Sequence, residues 1–357
     1  MHMTEIKPID FTFFQAFLPD KCNSCGECLT HCPIIKINLK EAQNIIQQLR
    51  NGEESHKLLQ KCQSCFTCNF YCPTNARPAS LIIERWHQQY EKEGLKIKGK
   101  YYLTQHPNYP NFRTVGIEHM TPQEREILEK WASMEPLKGD TLTYPGCNMI
   151  LTPTLTQSSI FSELDIRGRL EYCCGETLFR TGYADRLFEV TARLDKWFNH
   201  LKPRNLLVLC TAGTNVFRNV LPNYGLTYKF DKITSYLEWL WERFENEEIK
   251  ISNPLSYSVT IQDSCYSKMF GENYMDIPRK ILEKIGCKII EMPAIRENMR
   301  CCGIAGGFSV DAAYDPFKIR SATCRNLDDA LATKADILCF YCSGCLQTYS
   351  IAKKLYF

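Results

Sequence analysis

The sequence lacks what would send a chain across a membrane or onto nucleic acid. No apolar run approaches the roughly 18–20 residues that span a bilayer. The first residues include Glu5 and Asp10 and no apolar signal-peptide core. Neither charge sign dominates: 43 Lys and Arg stand against 40 Asp and Glu, a net charge of +3. That leaves no electrostatic footprint for DNA or RNA, and Lys96-Ile97-Lys98-Gly99-Lys100 reads as a solvated face. No G-x-G-x-x-G loop is visible, so neither NAD nor FAD is expected on this chain. The expectation is a cytoplasmic protein, free or attached to a membrane only through a partner.

Against these absences stands a surplus of twenty cysteines in 357 residues. A secreted disulfide scaffold and a metalloprotein of a reducing compartment compete for that number. The missing signal peptide and the C-x-x-C clustering select the metalloprotein. Length suggests two or three domains, and 44% hydrophobic residues suffice for a sizeable core.

The first cysteines follow a strict spacing. Cys22, Cys25, Cys28 and Cys32-Pro33 form C-x2-C-x2-C-x3-C-P, and Cys62, Cys65, Cys68 and Cys72-Pro73 repeat it. This doubled run is the bacterial two-cluster ferredoxin pattern, in which the fourth cysteine of each run ligates the other cluster. One [4Fe–4S] cluster is therefore assigned to Cys22, Cys25, Cys28 and Cys72, and the second to Cys62, Cys65, Cys68 and Cys32. Between the motifs, Ile45, Ile46, Leu49, Leu58 and Leu59 recur at helical spacing from Leu39 to Leu59, and a second helix is predicted from Ala79 to Tyr90. Those helices point to an α-helical ferredoxin domain over residues 1–95. Phe11 to Leu18 reads as a packing segment and His31 as an exposed loop histidine. Lys21 and Lys61, each just before a motif, suggest an offset to cluster charge.

Residues 96–140 read as a linker. His106 to Phe112 is dense in turn formers, and Thr121 caps a short helix through Trp131. From 141 the chain repeats itself, over 141–256 and 257–357. Leu142 to Cys147 resembles Val259 to Cys265, Cys173-Cys174-Gly175 answers Cys301-Cys302-Gly303, and Leu206 to Cys210 answers Ile337 to Cys342. Helical patterns lie between, at Leu187, Val190, Leu194, Phe198 and Leu201, and at Ile319, Ala322, Leu327 and Leu331. Helices alternating with apolar strands predict α/β layers with mainly parallel sheets. Ligand sites in such sheets gather at the carboxyl ends of strands, where these cysteines fall.

The second repeat carries Cys265, Cys301, Cys302, Cys342 and Cys345. Five thiolates from three loops suit one soft-metal site, and an iron–sulfur cluster accommodates adjacent cysteines better than a tetrahedral zinc ion does. Zinc or an ordinary cubane, needing four ligands, is the alternative. The first repeat has four cysteines, Cys147, Cys173, Cys174 and Cys210, with Gly213 at the position of Cys345. A cubane, zinc, or an empty site approached by substrate or partner stay open there. Cys287, Cys324 and Cys339 read as small core hydrophobes, and Trp239 and Trp241 as helix core. Glycines 303, 306 and 307 suit either a close approach of backbone to ligand or a tight turn.

These motifs, with Met275 to Lys280 and Cys301 to Gly307, make the chain resemble the CCG-domain (cysteine-rich domain) iron–sulfur oxidoreductases along its whole length. The arrangement is similar to the C-type and B-type components of heterodisulfide reductase fused into one chain, as in its D-type component. Parts resemble the C-type component of anaerobic glycerol-3-phosphate dehydrogenase and the iron–sulfur component of glycolate oxidase. The resemblance implies a noncubane [4Fe–4S] cluster on Cys265, Cys301, Cys302, Cys342 and Cys345 that reduces a disulfide. It implies electrons arriving from a flavoprotein (heterodisulfide reductase A-like) or a membrane cytochrome. The same resemblance offers a second role, a conduit between a dehydrogenase and a quinone-linked partner.

Overall fold

The computed structural model describes residues 17–94, 111–304 and 316–356. Phe11 to Ala16, Lys96 to Lys100, His106 to Pro110, Gly306 and Gly307 lie outside the described residues. The N-terminal part is helical. Asn38 caps the helix Leu39–Arg50 by accepting from the Glu41 N–H, and Ala42, Ile45, Ile46 and Leu49 form its buried face. The helical pattern predicted through Leu59 breaks at Asn51-Gly52, where Gly52 takes a left-handed φ of +80°. Leu58 and Leu59 belong instead to a separate turn of helix, His56–Leu59. The second predicted helix runs Pro78–Glu93, with proline in its first turn, where no N–H is needed. Its Trp86 is fully buried and donates from Nε1 to the Leu59 carbonyl at 3.2 Å. The helix at Thr121 is present as Pro122–Trp131, closed by a reciprocal capping box between Thr121 and Glu124.

Two three-stranded sheets follow, parallel in every pairing. The first is formed by β1 (Thr141–Tyr144), β2 (Asn205–Val208) and β3 (Lys232–Ser235), in that spatial order. The second places β4 (Ser258–Gln262) between β5 (Lys288–Ile289) and β6 (Ile337–Phe340). The apolar strands β1, β2, β4 and β6 match the sequence reading. Strands β3 and β5 escape it, because Lys232-Ile233-Thr234-Ser235 is only partly buried and β5 spans two residues.

The halves share a two-strand centre, since β1 pairs with β2 as β4 pairs with β6. Their third strands differ. β5 lies beside β4, whereas the matching side of β1 holds only a single parallel bridge from Thr143 to Ile166. Conversely β3 lies beside β2, and among the described residues no strand lies beyond β6. Long helices accompany both centres: Leu187–Leu201, with Val190, Leu194 and Phe198 buried, and Pro316–Ala332. Tyr236–Glu245 buries Leu237 and Phe244, with Trp239 and Trp241 packed partly buried at its sides.

The helical part and the first half meet backbone to backbone. Gly182 has φ +86°, and a Cβ there would stand 2.7 Å from the His87 amide nitrogen. His87 Nδ1 lies 2.8 Å from the Gly182 carbonyl, inside that same contact. Only glycine fits both conditions. Gly182→Ala is expected to lower stability by about 1–3 kcal/mol from backbone strain alone. Urea unfolding would show a lower midpoint, and hydrogen exchange would speed up in Pro78–Glu93; unchanged values in both would refute this.

Candidate metal centres

The two N-terminal loops share a backbone form as well as a spacing. Ser24 and Gly26 flank Cys25 with φ of +58° and +82°, and Ser64 and Phe66 flank Cys65 with +48° and +63°. Left-handed residues on either side of the middle cysteine turn successive side chains inward. Cys28 is pushed up to about 12, first by burial and then by Cys72, Cys25 and Cys22 facing it. Cys62 is pushed up by burial and then by Cys65, with Cys32 also acting on it. Cys68 rises well above its ordinary value through burial and through Cys28, Cys62, Cys65 and Cys32. Cysteines of the two runs thus face one another across the loops, Cys72 acting on Cys28, Cys32 on Cys62, and both Cys28 and Cys32 on Cys68. Amide N–H groups already aim at sulfur, from Ser64 to Cys62 at 3.4 Å and from Ala76 to Cys72 at 3.2 Å. None of the twenty cysteines is joined in a disulfide. Crowded buried thiols resist ionisation; a bound cation reverses that, since a coordinating thiol loses its proton outright.

The C-terminal five converge as a chain of sulfur contacts. Cys265 rises well above its ordinary value, first because it donates to Cys301 and then through burial. Donation from Cys265 lowers Cys301, but donation onward to Cys302 and burial outweigh it and leave Cys301 at about 12. Cys302 is lowered by accepting from Cys301 and then from Cys345. Cys342 is lowered by Cys345. Helix Pro316–Ala332 fixes the adjacent pair by its backbone, Asn326 donating to the Cys301 carbonyl at 3.0 Å and Thr323 to that of Cys302 at 2.9 Å. Gly303, at φ +102°, directs its N–H toward Cys301 sulfur at 3.5 Å.

Asp263, fully buried, ties the three loops together. Its carboxylate accepts from Arg279 at 3.0 and 2.9 Å, from the Arg296 amide at 2.8 Å and from the Tyr341 hydroxyl at 2.8 Å. Asp263 stands two residues before Cys265, and Tyr341 one before Cys342. Arg279 also pairs with Glu291 at 2.6 Å. The Met275 to Lys280 segment therefore has a physical role: it supplies the cation that neutralises Asp263.

In the first half, Cys147, Cys173, Cys174 and Cys210 also come together. Cys147 and Cys174 rise well above the ordinary thiol value, first through a sulfur contact to Cys173 and then through burial, while Arg113 pulls Cys147 the other way. Cys210 is pushed up to about 12 by burial and next by Cys342 of the other half. The two sets are therefore neighbours, and Thr211 donates to the Tyr341 carbonyl across that junction at 2.9 Å. At Gly213 a Cβ would stand 3.2 Å from Val208 Cγ1 and 3.9 Å from Cys210 sulfur, so this position lies beside the cysteine set and contributes no ligand to it. Among the described residues no three His, Cys, Asp or Glu side chains converge for a single bare ion. Adjacent cysteines such as Cys301 and Cys302 suit an iron–sulfur cluster better than one tetrahedral zinc ion, and on that chemistry the donor set fits a cluster.

Cys287, Cys324 and Cys339 stand apart from these groups; Cys287 is buried and the other two are half-buried. His31 is exposed and stacks on Tyr71 at 4.2 Å. Sequence reasoning missed Asp263, Arg180 and Lys268. Arg180 donates to Cys265 sulfur at 3.2 Å, and Lys268 donates to Thr67 of the second N-terminal loop at 2.6 Å. No spacing signal marks either cation, since each meets its partner only through the fold.

Removing the Asp263 carboxylate leaves Arg279 with Glu291 alone and takes the acceptor away from the Arg296 amide and the Tyr341 hydroxyl, a loss of about 1–3 kcal/mol. Asp263→Ala is expected to show that loss in urea unfolding. It should also lower iron bound by the C-terminal set while the N-terminal clusters keep their absorbance. Equal stability would refute the assigned role.

A 4Fe-4S dicluster domain model matches residues 16–87, and a cysteine-rich (CCG) domain model matches 259–349. The D-type component of the dihydromethanophenazine:CoB–CoM heterodisulfide reductase of Methanosarcina acetivorans is 25% identical, across 94% of this chain and 89% of that protein. Its counterpart from Methanosarcina barkeri is 26% identical, across 96% and 90%. The EtfAB:quinone oxidoreductase of Syntrophomonas wolfei is 30% identical over a shorter stretch, 39% of this chain and 19% of that protein. Among the described residues no helix is long and apolar enough to cross a membrane. The chain is an iron–sulfur protein that joins a 4Fe-4S dicluster domain to a CCG cysteine-rich domain, homologous to the D-type component of heterodisulfide reductase.

Proposed function

We propose that this chain is the electron-transferring and catalytic iron–sulfur component of a heterodisulfide-reductase-like complex. Cys22, Cys25, Cys28 and Cys72 hold one cubane, and Cys62, Cys65, Cys68 and Cys32 the other. Cys265, Cys301, Cys302, Cys342 and Cys345 hold a noncubane [4Fe–4S] cluster, and the first-half quartet offers a place for a further cluster or a zinc ion. The working units are residues 1–95, the linker 96–140, and the repeats 141–256 and 257–357. The observation that carries this reading is the convergence of five buried thiols from three loops next to the second ferredoxin-type loop.

When bound, the clusters supply one-electron storage and a surface for disulfide reduction. Two electrons and two protons convert one disulfide to two thiols, so two single-electron deliveries are needed per turnover. The electrons come from a flavoprotein or cytochrome partner, in the cytoplasm or at a membrane to which that partner attaches. The protein's own share is geometric: Asp263 and Arg279 fix the loops, Asn326 and Thr323 orient Cys301 and Cys302, and burial excludes water.

A second reading, a conduit toward a quinone-linked partner, draws on Gly213 in place of a fifth cysteine and on the similarity to the EtfAB:quinone oxidoreductase. Cys342→Ser separates the two. With a reduced viologen as donor, disulfide turnover should fall at least about 100-fold, because even outer-shell partners of metal ligands are worth about 10–100-fold. The N-terminal cluster signals should persist. Undiminished turnover would overturn the catalytic assignment and leave the conduit.

A further inference from the structure

We propose that Arg180 sets the reduction potential of the C-terminal cluster, as a positioning residue standing between that cluster and the second ferredoxin-type loop. The inference rests on the reading that Cys265 and its four companions hold a cluster. Arg180 belongs to the first half, yet its Nη2 donates to Cys265 sulfur of the second half at 3.2 Å. Its side chain is 4% exposed and is paired with Glu176 at 2.8 Å. The guanidinium lies over the Tyr266 ring at 4.5 Å and the Phe66 ring at 5.3 Å. Tyr266 in turn donates to Glu176 at 2.6 Å, which closes a box around the cation. Arginine keeps its charge under any ordinary condition.

Two of the box's walls come from opposite sides of the proposed electron route. Phe66 follows Cys65 directly, and Tyr266 follows Cys265 directly, with ring centroids 5.3 Å apart. Phe66 takes φ +63°, a left-handed conformation that strains a non-glycine residue. The equivalent position in the first loop is Gly26, where a Cβ would meet the Gln43 amide nitrogen at 2.8 Å. The second loop thus retains a strained aromatic where the first has a glycine, and that aromatic faces Arg180. Lys268 reinforces the junction by donating to Thr67.

A cluster gains one negative charge on reduction. A cation and an N–H donor fixed at one ligand sulfur stabilise that form more than the oxidised one, and a dry surrounding enlarges the difference. Arg180 therefore raises the potential of the C-terminal cluster and draws electrons from the neighbouring loop toward it. The Cys22, Cys25, Cys28 and Cys72 set has no such contact among the described residues and serves as an internal control.

The test is a dye-mediated redox titration, followed by electron paramagnetic resonance, of the anaerobically reconstituted full chain. A charge-assisted donor is worth about tenfold in this equilibrium. Arg180→Gln should therefore lower the C-terminal midpoint by about 59 mV for one electron. Arg180→Lys, which keeps the charge, should shift it less, and the Cys22-set midpoint should stay in place in both. A C-terminal midpoint unmoved by Arg180→Gln overturns the proposal. Loss of that cluster in both variants also overturns it, making Arg180 an assembly residue. A parent protein with N-terminal cluster signals alone removes the functional reading, and this inference with it.

Discussion

Crowding of buried thiols is the constraint on which this architecture depends. Each cysteine group gathers buried thiols: burial leads the upward displacement of Cys28, Cys62 and Cys68, thiol-to-thiol contacts lead that of Cys147, Cys174 and Cys265, and neighbouring thiolates add to both. Disulfides would relieve the crowding, yet no two of these cysteines are joined. Iron relieves it more completely, because it removes the protons and neutralises the charge together. The buried cations fit the same logic. Arg180 stands at Cys265, and Arg113 acts on Cys147, each where thiol density is high.

The two halves answer this constraint unequally. Both use the carboxyl ends of a parallel strand pair to present their cysteines, β1 with β2 and β4 with β6. In the second half, Asp263 and Arg279 lock the loops after β4 and β6 into one unit. In the first half, the residue at the position of Asp263 is Pro145, which carries no side-chain acceptor. The region between Cys147 and Cys173 contributes a bridge at Ile166 where the second half has β5. A shorter excursion, no carboxylate lock and glycine in place of a fifth cysteine are the ways in which the first half departs from the second.

Much of this was legible in the sequence because its signals are local. The spacing of Cys22 to Cys32 and Cys62 to Cys72 marked the N-terminal quartets, and periodicity marked Leu39–Arg50, Pro78–Glu93 and Leu187–Leu201. Apolar runs marked β1, β2, β4 and β6. What stayed hidden is what depends on contacts between distant segments. β3 is a polar edge strand whose pattern resembles a loop, and β5 is too short for any period to register. The break after Arg50 turns on one glycine in the left-handed region, a feature that apolar spacing does not see. Asp263, Arg180 and Lys268 are ordinary charged residues in the sequence, and only their places beside cysteine loops distinguish them.

Those hidden residues also decide how the parts are ordered. Spacing alone makes the two N-terminal quartets equivalent, since their motifs are identical through the prolines. The fold breaks that symmetry at one position, where Gly26 packs against the Leu39–Arg50 helix and Phe66 packs against Tyr266. The first loop is closed against its own helix, while the second carries a strained aromatic to the second repeat. The proposed role of Arg180 uses that asymmetry, because its guanidinium lies over the same Phe66 ring.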